Sequence, residues 1–128
     1  MALNILVVDD SAVMRKMLIR TLGLSGIPLG TLGEAGDGQQ GLKALEGGKF
    51  DLVLVDINMP VMDGESMVRN MRLNPAWAKM PVIFISSESS ASRIEMLIRS
   101  GAGFVHKPFA PESLKETIVS MVGNVDGD

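Results

Sequence analysis

Two observations predict an α/β fold built on a parallel sheet. Short apolar runs rich in β-branched residues recur along the chain, and a helical pattern of apolar residues follows each one. Most of these runs are continuously apolar, as strands buried on both faces of a parallel sheet are. The first covers Ile5–Asp9, and the second, Thr31–Ala35, is weakened by Gly33. Leu52–Asp56, Val82–Ser86 and Phe104–His106 complete the set. The first helix should open at Ser11 as N-cap, carry Val13, Met14, Met17, Leu18 and Leu22, and end at Gly23. A short second helix carries Leu42 and Leu45 and closes at Gly47-Gly48, and a third carries Met67, Val68 and Met71 and stops near Asn74-Pro75. Ser92 with Glu95 three residues on resembles a capping box for a fourth helix through Met96, Leu97 and Ile98, ending at Gly101. Pro111 opens the fifth, with Leu114, Ile118, Val119 and Met121. Regular alternation with right-handed crossovers places helices on both faces of the sheet.

The 128 residues suit one domain, and 46% hydrophobic with 21% charged residues is ordinary globular composition, which excludes a fibre or a disordered tail. Apolar runs such as Ile5–Val8 and Leu52–Val55 are far short of the roughly 20 residues a membrane helix needs. The start Met-Ala-Leu-Asn lacks the features of a secretory signal, so a soluble cytoplasmic protein is expected. With no cysteine there is neither a disulfide framework nor a thiolate metal site. A net charge of −3 argues against non-specific binding to nucleic acid or to an anionic membrane.

Ligands of open α/β sheets bind beyond the carboxyl ends of the strands, so the residues there carry the chemistry. Strand one ends in Asp9-Asp10, strand three in Asp56 followed by Ile57-Asn58-Met59-Pro60, strand four in Ser86, and strand five runs into Lys107-Pro108. Crowded carboxylates stay ionised together only with a cation between them, and an all-oxygen set with room for water suits magnesium. A carboxylate can act as nucleophile in phosphoryl transfer, Lys107 can hold an anion, and Ser86 can donate a hydrogen bond.

With these residues in view, the chain resembles the receiver domains of two-component response regulators, most closely the small stand-alone chemotaxis (CheY) type. The residues that carry the resemblance are Val8-Asp9-Asp10-Ser11, Val55-Asp56-Ile57-Asn58-Met59-Pro60 with Asp63-Gly64, Ile85-Ser86-Ser87-Glu88, and Phe104-Val105-His106-Lys107-Pro108-Phe109. It spans residues 3–122, leaving 123–128 as a short C-terminal tail too small for an output module. The resemblance implies a flavodoxin-like five-stranded parallel sheet of order 2-1-3-4-5. It implies Asp56 as phosphoacceptor, with Mg2+ held by Asp10, Asp56 and the Asn58 backbone carbonyl, and by Asp9 through water. Lys107 would pair with the phosphoryl group and Ser86 would hydrogen-bond it. Phe104 takes the place of the switch aromatic, commonly tyrosine, while Asn58 and Glu88 match positions that set the lifetime of the phosphorylated state. The implied partners are a histidine kinase as phosphodonor and a downstream protein met through the face of helix four, strand five and helix five. A phosphatase is a further candidate partner, and a monomer is expected. Such a protein catalyses only its own phosphoryl transfer and dephosphorylation.

Two other readings compete. Gly36-Asp37-Gly38-Gln39-Gln40-Gly41 satisfies the dinucleotide pattern G-x-G-x-x-G, with Asp56 twenty residues past Gly36. A nicotinamide-binding protein, however, leaves Asp9, Asp10, Ser86 and Lys107 unexplained. A receiver-like scaffold that binds partners without cycling phosphate is disfavoured because acceptor, metal and lysine positions are all intact. His106 reads as a solvated strand residue, and Trp77 as loop packing.

Overall fold

The structure, a computed structural model, describes residues 2–123, so of the expected tail all but Gly123 lies outside the described residues. The chain runs β1 (Leu3–Val8), α1 (Ala12–Leu24), β2 (Leu29–Ala35), α2 (Gly38–Gly47), β3 (Leu52–Val55), α3 (Gly64–Leu73), β4 (Val82–Ser86), α4 (Ala91–Arg99), β5 (Gly103–His106) and α5 (Pro111–Val122). All neighbouring strands are parallel, in the order β2-β1-β3-β4-β5 expected.

Strand side chains alternate between faces, and each face builds its own core. Ile5, Val7, Leu52, Leu54, Ile83 and Ile85 meet Leu18 and Leu22 of α1 and Leu114 and Ile118 of α5. On the other face Leu6, Val8, Val53, Val55 and Phe84 meet Leu45 of α2, Met67 and Met71 of α3, and Leu97 of α4. Burial on both faces is why Ile5–Val8 of β1, all of β3 and Val82–Ile85 of β4 are uninterrupted apolar runs.

The differences from expectation have local causes. β2 begins at Leu29, two residues early, because an edge strand tolerates Gly30 and polar residues that a central one would not. α1 continues through Gly23 to Leu24, and the left-handed turn is made by Gly26, whose φ is 85°. Val13 and Met17 of α1, and Met96 and Ile98 of α4, face solvent instead of the core. α4 is capped by Ser90, whose hydroxyl accepts from the Arg93 N–H, and not by Ser92. Ser11, Asp37 and Asp63 cap α1, α2 and α3 in the same way. α4 buries one side chain, Leu97, and a cavity of about 560 Å³ lined by Val68, Phe84, Met96 and Leu97 opens between it and α3.

Candidate functional site

The parallel register sets the rim. Val8 pairs with Val55, and one step beyond, the Asp56 N–H donates to the Val8 carbonyl at 3.0 Å while the Asp9 N–H donates to the Ala35 carbonyl at 3.0 Å. Asp9 and Asp56 therefore leave their strands side by side. With Asp10 they form a group whose carboxylate oxygens lie within 4.8 Å of one another. Asp9 is buried at 1% exposure and Asp10 is exposed, so the group opens to solvent on one side.

Lys107 reaches the acids from β5. Its backbone N–H donates to the Ser86 carbonyl at 2.9 Å, the peptide to Pro108 is cis, and Nζ lies 3.0 Å from Asp9 Oδ2 and 3.3 Å from Asp56 Oδ2. The remaining oxygens are held by the turns themselves: Ser11 N–H donates to Asp9 Oδ1 at 2.9 Å, and Ile57 N–H to Asp56 Oδ1 at 2.8 Å. Burial pushes the Asp56 carboxyl above its usual range and the neighbouring Asp9 charge adds to this, while Lys107 and the Ile57 N–H pull it back. Burial pulls the Lys107 ammonium down, but the bonds and charges of Asp9 and Asp56 outweigh it, so its pKa is raised. Three hard oxygen donors with one open side fit magnesium, which keeps waters and binds few carboxylates.

The loop after β3 is shaped around Asp56. Gly64 N–H donates to the Ile57 carbonyl at 2.9 Å, and a Cβ at Gly64 would stand 2.1 Å from the Asp56 carbonyl oxygen, so no other residue fits there. Val61 has φ 67°, and the Met62 N–H reaches back to the Pro60 carbonyl at 2.7 Å around it, a γ-turn. Asn58 lies exposed in this loop.

Ser86 is fully buried, and its Oγ accepts from the Glu88 N–H at 3.2 Å. Phe84 pairs with Phe104 and Ser86 with His106, so Ser86, Phe104 and His106 share one face of the sheet. The half-buried Phe104 ring packs against that face's core and meets the exposed His106 ring edge-on at 4.9 Å. Glu88 is drawn toward α4: its Oε2 accepts from the Ser89 and Ser90 N–H groups, and its Oε1 lies 3.4 Å from Arg93 Nε. Arg93 also pairs with Glu65 of α3.

The glycines of the dinucleotide-like pattern are used for packing. A Cβ on Gly38 would meet Met62 at 2.8 Å and one on Gly41 would meet Met67 at 2.7 Å, so they let α2 approach the β3–α3 loop and α3. Sequence reasoning missed Arg15, which links Glu34 to the Asp9 backbone, and the Glu65–Arg93–Glu88 set. These long side chains reach across elements, and no local spacing marks them.

An acid rim at the carboxyl ends of a 2-1-3-4-5 parallel sheet, with a lysine delivered from β5, defines a class of α/β signalling domain. The chain belongs to the response regulator receiver domain family, whose model matches residues 5–119. It is 34% identical to the chemotaxis protein CheY of Pseudomonas aeruginosa over 129 residues, covering 98% of this chain and all of that protein. It is 35% identical to the chemotaxis protein CheY-3 of Vibrio cholerae, over 91% of this chain and 88% of that protein. The solved structure of Vibrio cholerae CheY4 superposes with a TM-score of 0.82 at 31% identity, covering 94% of this chain and 99% of the other.

Proposed function

We propose that this receiver is a phosphoacceptor switch in which Asp56 takes a phosphoryl group from the phosphohistidine of a histidine kinase. An Asp56 carboxylate oxygen attacks phosphorus, the new O–P bond forms as the N–P bond breaks, and the imidazole leaves with the electron pair. Asp10, Asp56 and the Asn58 carbonyl would hold magnesium directly and Asp9 through water. When bound, it neutralises charge on the transferring phosphoryl oxygens. Lys107 then exchanges its bond to Asp56 for one to the phosphoryl group. The Ser86 hydroxyl turns from the Glu88 N–H to donate to a phosphoryl oxygen, leaving room that the Phe104 ring can take. Asn58, exposed in the loop after β3, and Glu88, after β4, are the positions that would set how long the group survives.

On this reading the receiver unit is residues 3–122, acting as a cytoplasmic monomer and signalling through the α4-β5-α5 face to a protein target. The named CheY relatives point to chemotaxis, and a phosphatase can end the signal. Its chemistry is confined to its own transfer and hydrolysis. The observation that carries the proposal is the convergence of three carboxylates and one ammonium at a single strand rim. Mass spectrometry after incubation with acetyl phosphate and magnesium chloride tests it. One phosphoryl group is expected on the wild type and none on Asp56→Asn. Labelling of the variant at the wild-type rate sinks the assignment, and no labelling of either favours a scaffold that only binds.

A further inference from the structure

Arg15 lies on the first turns of α1, its side chain 19% exposed, with its guanidinium spanning two acceptors. Nη1 donates to the backbone carbonyl of Asp9 at 2.6 Å, and Nε donates to Glu34 Oε1 of β2 at 2.9 Å. Beyond Val8 the β1–β2 ladder makes one last bond, from the Asp9 N–H to Ala35. The Asp9 carbonyl that follows takes its donor from a side chain. That carbonyl and the Asp10 N–H share one rigid peptide plane. A donor fixed on the carbonyl therefore fixes the direction in which the chain delivers Asp10, the one member of the acid group without a strand to hold it.

We infer that Arg15, anchored by Glu34, is a positioning residue for the cation site: it sets the Asp9–Asp10 peptide so that both carboxylates face Asp56. The inference rests on the reading of the acid group as a magnesium site. Geometry and charge predict opposite signs here. If only its positive charge mattered, Arg15 would repel a cation, and removing it would tighten binding. If it positions the peptide, removing it weakens binding, as loss of a partner behind a metal ligand generally does. Lysine keeps the charge but offers a single point donor, which cannot span both acceptors as the planar fork does.

Magnesium chloride titrations, followed by the amide resonances of Asp10 and Ser11 and by calorimetry, decide between them. Trp77 is a poor reporter, since its loop leads into the opposite end of β4. Arg15→Gln should raise the dissociation constant about tenfold, Arg15→Lys should fail to restore it, and Glu34→Ala should weaken binding by a smaller factor. Unchanged or tighter binding in Arg15→Gln, or wild-type binding in Arg15→Lys, overturns the proposal. Should Arg15→Gln not fold, Arg15→Lys and Glu34→Ala carry the same test. A wild type whose Asp10 and Ser11 resonances ignore magnesium overturns the site reading itself and the proposal with it.

Discussion

Lys107 stands nearer to Asp9, at 3.0 Å, than to Asp56, at 3.3 Å. Asp9 is the more deeply buried acid, so the ammonium serves first as its counter-ion and only second as a neighbour of the proposed acceptor. One cation thus offsets carboxylates that would otherwise repel one another, and it remains close enough to Asp56 to follow a phosphoryl group.

Lys107→Met should therefore destabilise the metal-free protein. Loss of one partner of a fully buried pair costs roughly 3–5 kcal/mol; with the Lys107 side chain 17% exposed, about 2 kcal/mol is expected here. Urea unfolding at neutral pH measures it. Magnesium chloride should recover more stability in the variant than in the wild type, because it binds only the folded state and, with no ammonium on Asp9 and Asp56 to compete, binds the acid group more tightly. Equal stability of the two metal-free proteins contradicts the counter-ion role.

Asp56→Asn should stabilise the metal-free protein in a pH-dependent way. The folded-state pKa of Asp56 is raised above 3.8, so between these values the folded protein keeps a proton that the unfolded chain has lost. Stability contributed by this group falls as pH rises through that window. Asparagine cannot ionise and escapes the loss, so the variant is the more stable protein above the window. The advantage shrinks toward zero as pH falls to 3.8. Melting curves from neutral to acid pH check this, and a constant difference across the range counts against it.

Val61→Gly should raise stability by about 1 kcal/mol. A β-branched residue at φ 67° pays a steric cost of roughly 1–2 kcal/mol, from which the greater chain entropy of glycine subtracts part. The side chain is 78% exposed, so little packing is lost. Val61→Ile, equally branched, should show no gain in the same urea titration.

Gly64→Ala should cost about 3 kcal/mol, since the new methyl meets the backbone oxygen of Asp56 and not a side chain that can swing away. Gly23→Ala in α1 is the control: its Cβ meets nothing within 4 Å, and helix propensity favours it by about 1 kcal/mol. Matching losses in the two variants would remove the special role of Gly64.

The central strands were legible because burial on both faces leaves uninterrupted apolar runs, as in Leu52–Val55. The phase of α1 was not, because Val13 and Met17 are as apolar as Leu18 and Leu22, and periodicity does not say which neighbouring stripe meets the sheet. The cap of α4 is ambiguous in the sequence because several serines stand close together there. Glu88 decides it, taking the Ser89 and Ser90 N–H groups and leaving the Ser90 hydroxyl for Arg93. At the site, Asp9, Asp10, Asp56 and Lys107 were readable because strand ends in a parallel sheet all lie on one rim. Arg15 and Arg93 were not, since their partners are fixed only once helices pack beside strands.

α4, with Leu97 as its one buried side chain and the Arg93 pairs to Glu65 and Glu88 at its surface, is the helix with the smallest stake in the core. Burying one leucine is worth about 2 kcal/mol, while a hydrogen bond to a charged group contributes about 1.5–3 kcal/mol. A single new bond at the rim is thus comparable with what keeps this helix seated. Amide protons of α4 should exchange with solvent through local opening long before those of β1 or β3, whose release requires the whole domain to unfold. The surface proposed to meet the target can be reshaped with almost no claim on global stability, and the sheet that holds the acids stays rigid throughout.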